Sequence, residues 1–415
     1  KNNQLFFVLV ILLSYSSIVF AQNKSWDGGA LTKNWHDANN WSPNGVPINT
    51  DYVRIQFDSV HLGSSASVRN LKVIDAQLTI DTSVALTIDA DLVEPIPGLI
   101  VDDKASIYNY GTLSILNTIE EGMTILDSSR VFMSAPGMIF ISECGADGVS
   151  LARGSSLIVD SAGLLFINGT GGNGLLNDSS RVINRVDAVM VVGATAADGI
   201  RNRGLWSNRG QMIIAEVGNY GFRTEDSLFI GTKGTIRVDS AAIGLFTNGR
   251  IENFGQIIIK RSHENGSGVQ CNTANNRPTF FNNYGELNID SVDNEGIAMV
   301  SPQGFVINHL DGSIKITNLL KSFSEGILLS HGLIDNQGKI EIDDAKMYGI
   351  YLNGGKLTNS DSISIRNIEN LGLYQESDSL VNQPSGFIRI ENCSIPAEID
   401  SSSLFDCQGS IEIDK

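Results

Sequence analysis

The sequence predicts an all-β fold, a parallel β-helix with about 25 residues in each coil and three short strands per coil. Two observations lead to this prediction. Pairs of apolar residues recur along most of the 415-residue chain at a nearly constant interval. One glycine position and one asparagine position recur at the same interval. Internal repeats of this length are typical of solenoids, in which each repeat packs only against its neighbours.

Each repeat contains a turn residue, usually glycine, that precedes an alternating apolar segment. These anchor residues are Gly111, Gly137, Gly163, Val186, Gly210, Gly234, Gly255, Gly285, Gly312, Gly338, Asp361, Gly386 and Gly409. Twelve steps separate the first anchor from the last, which lies 298 residues later, so one repeat averages 24.8 residues. A repeat this short leaves no room for a helix with two crossovers, so like strands are predicted to stack on like strands.

The positions two and four residues after each anchor are apolar in every repeat. The pairs are Leu113/Ile115, Ile139/Ile141, Leu165/Ile167, Ala188/Met190, Met212/Ile214, Ile236/Val238, Ile257/Ile259, Leu287/Ile289, Ile314/Ile316, Ile340/Ile342, Ile363/Ile365, Ile388/Ile390 and Ile411/Ile413. All 26 are apolar, whereas the 42% apolar composition predicts about eleven (0.42 × 26). Alternation with a period of two indicates a strand with one buried face. We therefore expect these side chains to form the columns of the core.

Two further strands complete each coil. The second strand starts with glycine and an apolar residue, at Gly122, Gly148, Gly174, Gly199, Gly221, Gly244, Gly268, Gly296, Gly326, Gly349 and Gly372. The third strand carries an asparagine two residues before the anchor, at Asn109, Asn184, Asn208, Asn253, Asn283, Asn336 and Asn359. Stacked amides can hydrogen-bond along the axis as a ladder. Their recurrence in coil after coil therefore indicates a structural role.

Three strands and three turns per coil resemble the pectate-lyase-like right-handed parallel β-helix. The resemblance covers residues 55–415, of which residues 55–106 read as shorter and less regular coils. It implies an extracellular protein and makes two enzyme classes relevant. Polysaccharide lyases of this fold use clustered carboxylates for calcium and an arginine or lysine as base. Polygalacturonases use aspartates on successive coils together with histidine and arginine-lysine motifs.

Residues 1–21 read as a secretory signal peptide. An apolar stretch runs from Leu5 to Leu13, small residues follow at Val19-Phe20-Ala21, and cleavage is expected after Ala21. The apolar stretch is too short to span a bilayer. We therefore expect a secreted protein, located extracellularly or at the cell surface, with no membrane span after signal-peptide removal.

The charge balance narrows the choice of partners. The chain has 29 basic and 46 acidic residues and a net charge of −17. This excess of acidic residues argues against nucleic acid, whose phosphates require lysine and arginine, and against anionic membrane surfaces. The expected partner is a glycan or protein in the extracellular space or on a cell surface.

The two ends of the chain differ from its repeats. Residues 22–54 are expected to form an N-terminal cap rich in tryptophan, because a solenoid must cover its first coil. This segment resembles the opening of many secreted β-helices of Bacteroidota and autotransporter-like surface proteins, through Trp26-Asp27-Gly28-Gly29, Trp35, Asn40-Trp41 and Gly45-Val46-Pro47. An aromatic platform for sugars is the alternative interpretation. At the other end, Ile411–Lys415 completes a strand without a cap, so we expect the natural chain to continue.

The four cysteines are too few for a disulfide framework in a chain of this length. Cys393 and Cys407 lie less than one repeat apart, which leaves a local bridge open as an alternative. Cys144 and Cys271 are several repeats apart and are expected to be buried and unpaired.

Candidate catalytic residues are sparse. The histidines show no metal-ligand spacing, so no metal site is predicted. Asp343-Asp344 and His331-Gly332 occur in the wrong order for a polygalacturonase and without its remaining motif. The best enzymatic candidates are two arginines that each follow a repeat-starting glycine by two residues, together with nearby carboxylates: Arg201, Arg223, Asp198, Glu225 and Asp226. They could bind an acidic sugar or calcium, and a ladder of surface salt bridges explains them equally well.

Two outward-facing apolar columns are the candidate binding residues. Positions one and three after the anchors are predicted to face solvent and are mostly polar. On four successive coils they are instead occupied by Met138, Phe140, Leu164, Phe166, Val189 and Ile213, of which the first four lie on two adjacent coils. Leu328, Tyr351 and Tyr374 form a second run on the glycine-led strand. Contiguous exposed apolar surface usually marks a binding site. The alternative is that the glycine-rich segment 168–173 folds over the first column.

These observations favour a non-enzymatic function. We expect an extracellular or cell-surface β-helix that acts as a structural or adhesive scaffold, with glycan binding among its roles and without a cofactor. The alternative is a polysaccharide lyase or glycoside hydrolase of the pectate-lyase-like class, with calcium as the cofactor of the lyase.

Overall fold

The chain folds as a right-handed parallel β-helix of about 15 coils, as its repeat predicts. The computed structural model describes residues 22–91, 94–263, 266–273, 277–377 and 379–414. The predicted signal peptide, residues 1–21, lies outside the described residues. The described part contains one helical element, the short 3-10 helix Ala38–Asn40. At a strand spacing of about 4.8 Å, fifteen coils form a rod roughly 70 Å long.

The three strands of each coil stack into three faces. The isoleucine face carries the predicted core pairs. Its strands are Ala66–Val68, Ala85–Asp89, Thr112–Thr118, Met138–Cys144, Leu164–Thr170, Val189–Thr195, Gln211–Val217, Thr235–Ala241, Gln256–Ser262, Glu286–Asp290, Ser313–Thr317, Lys339–Ala345, the first parts of Ser362–Gln375 and Phe387–Ile399, and Ser410–Asp414.

The glycine face carries the glycine-led strands. They are Asn23–Trp26, Tyr52–Gln56, Asn70–Ile74, Leu99–Asp102, Met123–Ile125, Val149–Leu151, the first parts of Leu175–Asn184 and Ile200–Asn208, Tyr220–Thr224, Ile243–Thr247, Val269–Cys271, Ile297–Met299, Glu325–Leu329, Tyr348–Leu352, and the second parts of Ser362–Gln375 and Phe387–Ile399. The short strand Trp41–Ser42 pairs antiparallel with Asn23–Trp26.

The asparagine face completes each coil. Its strands are Ser59–Leu62, Gln77–Ile80, Ser106–Asn109, Arg130–Met133, Ser156–Val159, the second parts of Leu175–Asn184 and Ile200–Asn208, Ser227–Ile230, Arg250–Asn253, Thr279–Asn283, Gly304–Asn308, Gly332–Asn336, Gly355–Asn359, Ser379–Asn382 and Leu404–Cys407.

The predicted core columns are confirmed except on the coil assigned to Val186, where the register was wrong by two residues: Met190 and Val192, not Ala188 and Met190, pair with Leu165 and Ile167. Every residue of the 26 is buried except Ile411 and Ile413, which belong to the last coil of the described chain. Equivalent residues pair directly between coils, as Ile340 does with Ile363. The core is therefore a continuous stack of aliphatic side chains along the axis.

The glycine column has a packing reason. An added Cβ at each of the eleven repeat-starting glycines would lie less than 3 Å from a methyl group of a branched core residue in the same or the following repeat. At Gly296 that methyl group is Ile316 Cγ2, at 2.5 Å. Glycine is therefore required so that the main chain of one coil can lie against the core of the next.

The asparagine ladder is also confirmed, and it is longer than the sequence pattern indicates. A continuous series of buried amides runs from Asn253 to Asn382, each donating from Nδ2 to the Oδ1 of the next at 2.8–2.9 Å. It includes Asn308 and Asn382, which the pattern missed. Both lie four residues before their anchors rather than two, because their turns are two residues longer. Ladder position therefore depends on the strand and not on the distance to the anchor.

The tryptophans of the N-terminal segment are part of the core. Trp26 is 6% exposed, and Trp35 and Trp41 are fully buried. Trp41 packs edge-on against both other rings at 5.0 Å, and its Nε1 donates to the Trp35 main-chain oxygen at 2.7 Å. Because the rings are buried, the alternative of an aromatic sugar platform is wrong.

The cysteines are unbridged. Cys144 and Cys271 are buried and free, as predicted, and Cys393 and Cys407 are also free. The alternative of a local disulfide between Cys393 and Cys407 is therefore wrong. Burial raises the pKa of the Cys271 thiol to about 12, so this side chain behaves as a small apolar core residue.

Candidate binding surfaces

The first predicted apolar column forms a contiguous patch on the isoleucine face. Met138 pairs with Leu164, and Phe140 pairs with Phe166 on the next coil. The two phenylalanine rings lie 6.1 Å apart, and all four side chains are half-buried. We call these four residues the apolar patch. Stacking of like positions thus brings together the residues that the sequence singled out.

The segment 168–173 does not fold over the apolar patch. Thr170 pairs with Cys144 of the preceding coil, and the Gly171 nitrogen donates to the Cys144 oxygen at 2.8 Å. The Gly172 nitrogen donates to the Ala146 oxygen at 3.0 Å. The segment therefore continues the coil as an ordinary turn, and the alternative of a covering loop is wrong.

The apolar surface extends beyond the four residues of the patch. Val189 and Ile213, which the sequence also singled out, and Val191, which it did not, continue it over the next two coils of the isoleucine face. On the asparagine face of the same part of the rod, sequence reasoning missed a second outward column: Tyr108, Phe132, Ile158 and Ile183. All are half-buried. The residue that lies between the two buried ones on the asparagine-bearing strand is apolar on these four coils. That pattern could have predicted the column from the sequence.

The predicted column of Leu328, Tyr351 and Tyr374 forms a group of tyrosines on the glycine face. Leu328 pairs with Tyr351, which pairs with Tyr374, and the two tyrosine rings stack at 5.2 Å. Tyr348, which sequence reasoning missed, lies 4.9 Å from Tyr351 and 5.4 Å from Tyr374. Together the three rings form one aromatic surface.

Carboxylates border this tyrosine group. The Tyr351 hydroxyl donates to Glu376 Oε2 at 2.5 Å, and burial together with this carboxylate raises the pKa of Tyr351. Burial and the nearby charge of Glu295 raise the pKa of Glu325 to about 7. The surface therefore combines aromatic rings with carboxyl groups, one of which changes charge near neutral pH.

The predicted arginines do lie on adjacent coils. Arg201 pairs with Arg223, and both converge on one carboxylate. Glu225 Oε1 lies 2.9 Å from Arg201 Nη2 and 3.0 Å from Arg223 Nε. A third arginine that the sequence did not single out, Arg203, donates from Nε to Glu225 Oε2 at 3.3 Å. Glu225 is thus held by three guanidinium groups.

The pKa values of Glu225 and Asp198 shift in opposite directions. Burial would raise the pKa of Glu225, but Arg223 and Arg201 outweigh it and the pKa is lowered. Burial raises the pKa of Asp198, against the opposing charge of Arg223. Asp226 lies beside the cluster, where it lines one surface pocket with Arg203 and Glu225, and its Oδ1 accepts from the Ser227 hydroxyl at 3.0 Å.

Calcium does not fit this cluster. Calcium requires six to eight oxygen ligands, whereas both oxygens of Glu225 already face guanidinium groups. Three neighbouring positive charges would also repel a divalent cation. Elsewhere in the described ranges, no group of three or more histidine, cysteine or carboxylate side chains is arranged to hold a metal ion.

Arg223 has a further role in packing. Its guanidinium lies over the rings of Tyr220 and Phe246, at 5.3 Å from each centroid. A guanidinium that packs over two neighbouring rings and is bound to a carboxylate is restricted in position. The arrangement resembles a stabilising network more than a base that is free to accept a proton.

Comparisons with known proteins give only distant similarities. No protein-family model matches the chain, and no curated protein matches it. Among solved structures, a hyper-glycosylated fragment of TibA is similar at 9% identity, covering 87% of this chain and 95% of that chain, with a TM-score of 0.34. The periplasmic alginate epimerase AlgG is similar in two structures at 11% identity, covering 88% of this chain and 75% of that one, with TM-scores of 0.23 for a point mutant and 0.19. At these values, no activity or ligand is transferred to this chain.

In the described ranges, no helix has the length and apolar character needed to span a bilayer.

Proposed function

We propose that the chain is an extracellular or cell-surface scaffold that attaches to a glycan or protein partner through its outward apolar surface, without catalysis. The observation that carries the proposal is the apolar patch of Met138, Phe140, Leu164 and Phe166 on two adjacent coils. The local turn leaves it open, and further outward apolar residues extend it. The second surface, formed by Leu328, Tyr351 and Tyr374, supports the same function.

The energetics favour a covered state of the patch. Full burial of a large apolar side chain contributes about 1.5–3 kcal/mol relative to full exposure. Each of the four side chains is already half-buried by its neighbours, so a partner would gain about half of that amount per residue. Four residues then provide roughly 3–6 kcal/mol before the entropic cost of association. This gain does not by itself exceed the cost of association, about 4–15 kcal/mol, so attachment also requires the apolar residues that extend the patch or repetition along a surface.

The arginine cluster supports catalysis less well. Each of its arginines is paired with Glu225, and Arg223 also packs over two aromatic rings. The paired geometry supports a role in holding adjacent coils together.

The test replaces the two rings of the patch. The double variant Phe140→Ser and Phe166→Ser should fold normally, because both side chains point away from the core. It should lose attachment of the purified protein to the surface of the cells that secrete it, or lose self-association in sedimentation. Ile258→Ser is the matched control, since Ile258 occupies the same outward position on a coil outside the patch, between Arg237 and Asn288.

Two results would contradict the proposal. One is a double variant that attaches and sediments like the parent protein. The other is an equal loss in the Ile258→Ser control, which would indicate a general effect of outward apolar residues rather than a defined surface.

A further inference from the structure

A column of stacked rings follows the turn between the asparagine and isoleucine faces. The residue after each ladder position points outward there, and on three successive coils it is Phe254, Tyr284 and His309. Phe254 stacks on Tyr284 at 4.4 Å and 1°, and Tyr284 stacks on His309 at 3.8 Å and 5°. This turn therefore holds flat rings parallel to one another at the spacing of the coils.

The ring column ends at Phe254, and Gly231 is the next position beyond it. This glycine occupies the same position on the coil before Phe254, and without a side chain it leaves a groove of about 450 Å³. The groove is lined by Val186, Arg209, Phe229, Gly231, Thr232, Lys233 and Phe254. Phe254 is 36% exposed, so part of its ring is open at the groove. The turn here is two residues longer than its neighbours, which adds Thr232 and Lys233 to the wall.

Two cations border the groove. The Arg209 guanidinium lies 5.9 Å from the centroid of the Phe229 ring. Within the described residues, neither Arg209 nor Lys233 forms an ion pair with a carboxylate. Arg185, at the same turn position one coil earlier, is instead paired with Asp160 at 3.0 Å. The groove therefore combines aromatic rings with two cations that no carboxylate of the described residues neutralises, on a chain of net charge −17.

We propose that this groove binds an acidic sugar, a pyranose ring that bears a carboxylate or a sulfate. The apolar face of the pyranose packs against Phe254 and Phe229, in the space beside Gly231. Arg209 and Lys233 bind the anionic group through charge-assisted hydrogen bonds. Apolar walls with a few convergent charged groups are typical of ligand sites. The site goes beyond the proposed function, because it lies at another part of the surface from the apolar patch.

The experiment is calorimetric titration of the full chain with three hexasaccharides: an oligoglucuronate, a sulfated oligosaccharide and a neutral oligoglucose. We expect one or both anionic ligands to bind and the neutral one to bind at least about tenfold more weakly, because hydrogen bonds to charged groups are lost. The two anionic arms distinguish carboxylate from sulfate.

Three variants and one control locate the site. Arg209→Ala and Lys233→Ala should each weaken binding about tenfold. Gly231→Leu should fill the groove and abolish binding. An added Cβ at Gly231 meets only the flexible Arg209 side chain at 3.0 Å and the Phe229 ring at 3.5 Å, so folding should persist, as circular dichroism would verify. Arg185→Ala is the matched control and should bind like the parent protein.

The proposal is overturned if neither anionic ligand binds more tightly than the neutral one. It is equally overturned if Arg209→Ala and Lys233→Ala bind like the parent protein, or if Arg185→Ala is as weak as they are. None of these results bears on the apolar patch, so the failure of one site is distinguishable from the failure of the other.

Discussion

The glycine column allows a quantitative test of the packing between coils. Gly296 is the chosen position because an added Cβ there would lie 2.5 Å from Ile316 Cγ2, 2.9 Å from Ile316 Cδ1 and 2.6 Å from the Gly326 main-chain oxygen. All three distances are below any normal contact. Ile316 is fully buried, so it has no space into which to move. Gly296→Ala should therefore destabilise the protein although it adds a single methyl group.

The expected loss of stability can be estimated from the known cost of overpacking a protein core. Extra methyl groups in a packed core cost about 1–3 kcal/mol. The contact with the Gly326 oxygen involves main chain that cannot rotate away, so a value near the upper end, about 3 kcal/mol, is expected for Gly296→Ala. Ile316→Ala alone should cost about 2–5 kcal/mol through the cavity it creates. The double variant should cost at least about 1 kcal/mol less than the sum, because truncating Ile316 relieves the clash.

The assay is urea and thermal unfolding followed by circular dichroism, for the parent, both single variants and the double variant. Gly63→Ala is the control, because the nearest atom to an added Cβ is Asp81 Oδ2 at 3.8 Å. Equal midpoints for Gly296→Ala and Gly63→Ala would refute the packing argument. Strict additivity in the double variant would show that Ile316 is not the residue that requires glycine.

Three further predictions test the core, the arginine cluster and the acidic group. Ile340→Asp should prevent folding, because it places an unpaired charge in a column that is 1% exposed; a circular dichroism spectrum and unfolding midpoint like those of the parent would contradict the strand register. Incubation with acidic polysaccharides and calcium should produce no absorbance from unsaturated sugars; a signal that Arg201→Ala and Arg223→Ala abolish would establish the lyase alternative. The pKa of Glu325 is raised to about 7 in the folded state, from an ordinary value of 4.5. The folded protein therefore binds more protons than the unfolded chain between these values, and the free energy of unfolding should fall as pH rises from 4.5 to 7, by on the order of 1–2 kcal/mol after allowance for partial exposure. Glu325→Gln should remove this dependence; an unchanged pH profile in that variant would show that another group causes it.

The columns of the candidate surfaces could be predicted because stacking is periodic. Residues one repeat apart must lie next to each other, so the contacts of Phe140 with Phe166 and of Tyr351 with Tyr374 follow from counting. Contacts within one coil do not follow from counting. Tyr348 joins the tyrosine group from the first position of its strand, three residues before Tyr351, where its direction depends on how the chain enters that strand. Arg203 and Glu225, by contrast, are one repeat apart and directly follow the paired Asn202 and Thr224, so counting could have predicted this ion pair.

The sequence by itself determined the parallel β-helix, its repeat and most of its internal columns, because a period of two within strands and a period near 25 between them admit one stacking arrangement. Only the tertiary structure decided which outward residues stay open and which side chains pair. The turn at 168–173 proved to be part of the coil, the tryptophans proved to be buried, and the groove at Gly231 depends on residues from four coils. Side-chain direction and turn conformation set these features, and both depend on contacts that a one-dimensional repeat does not specify.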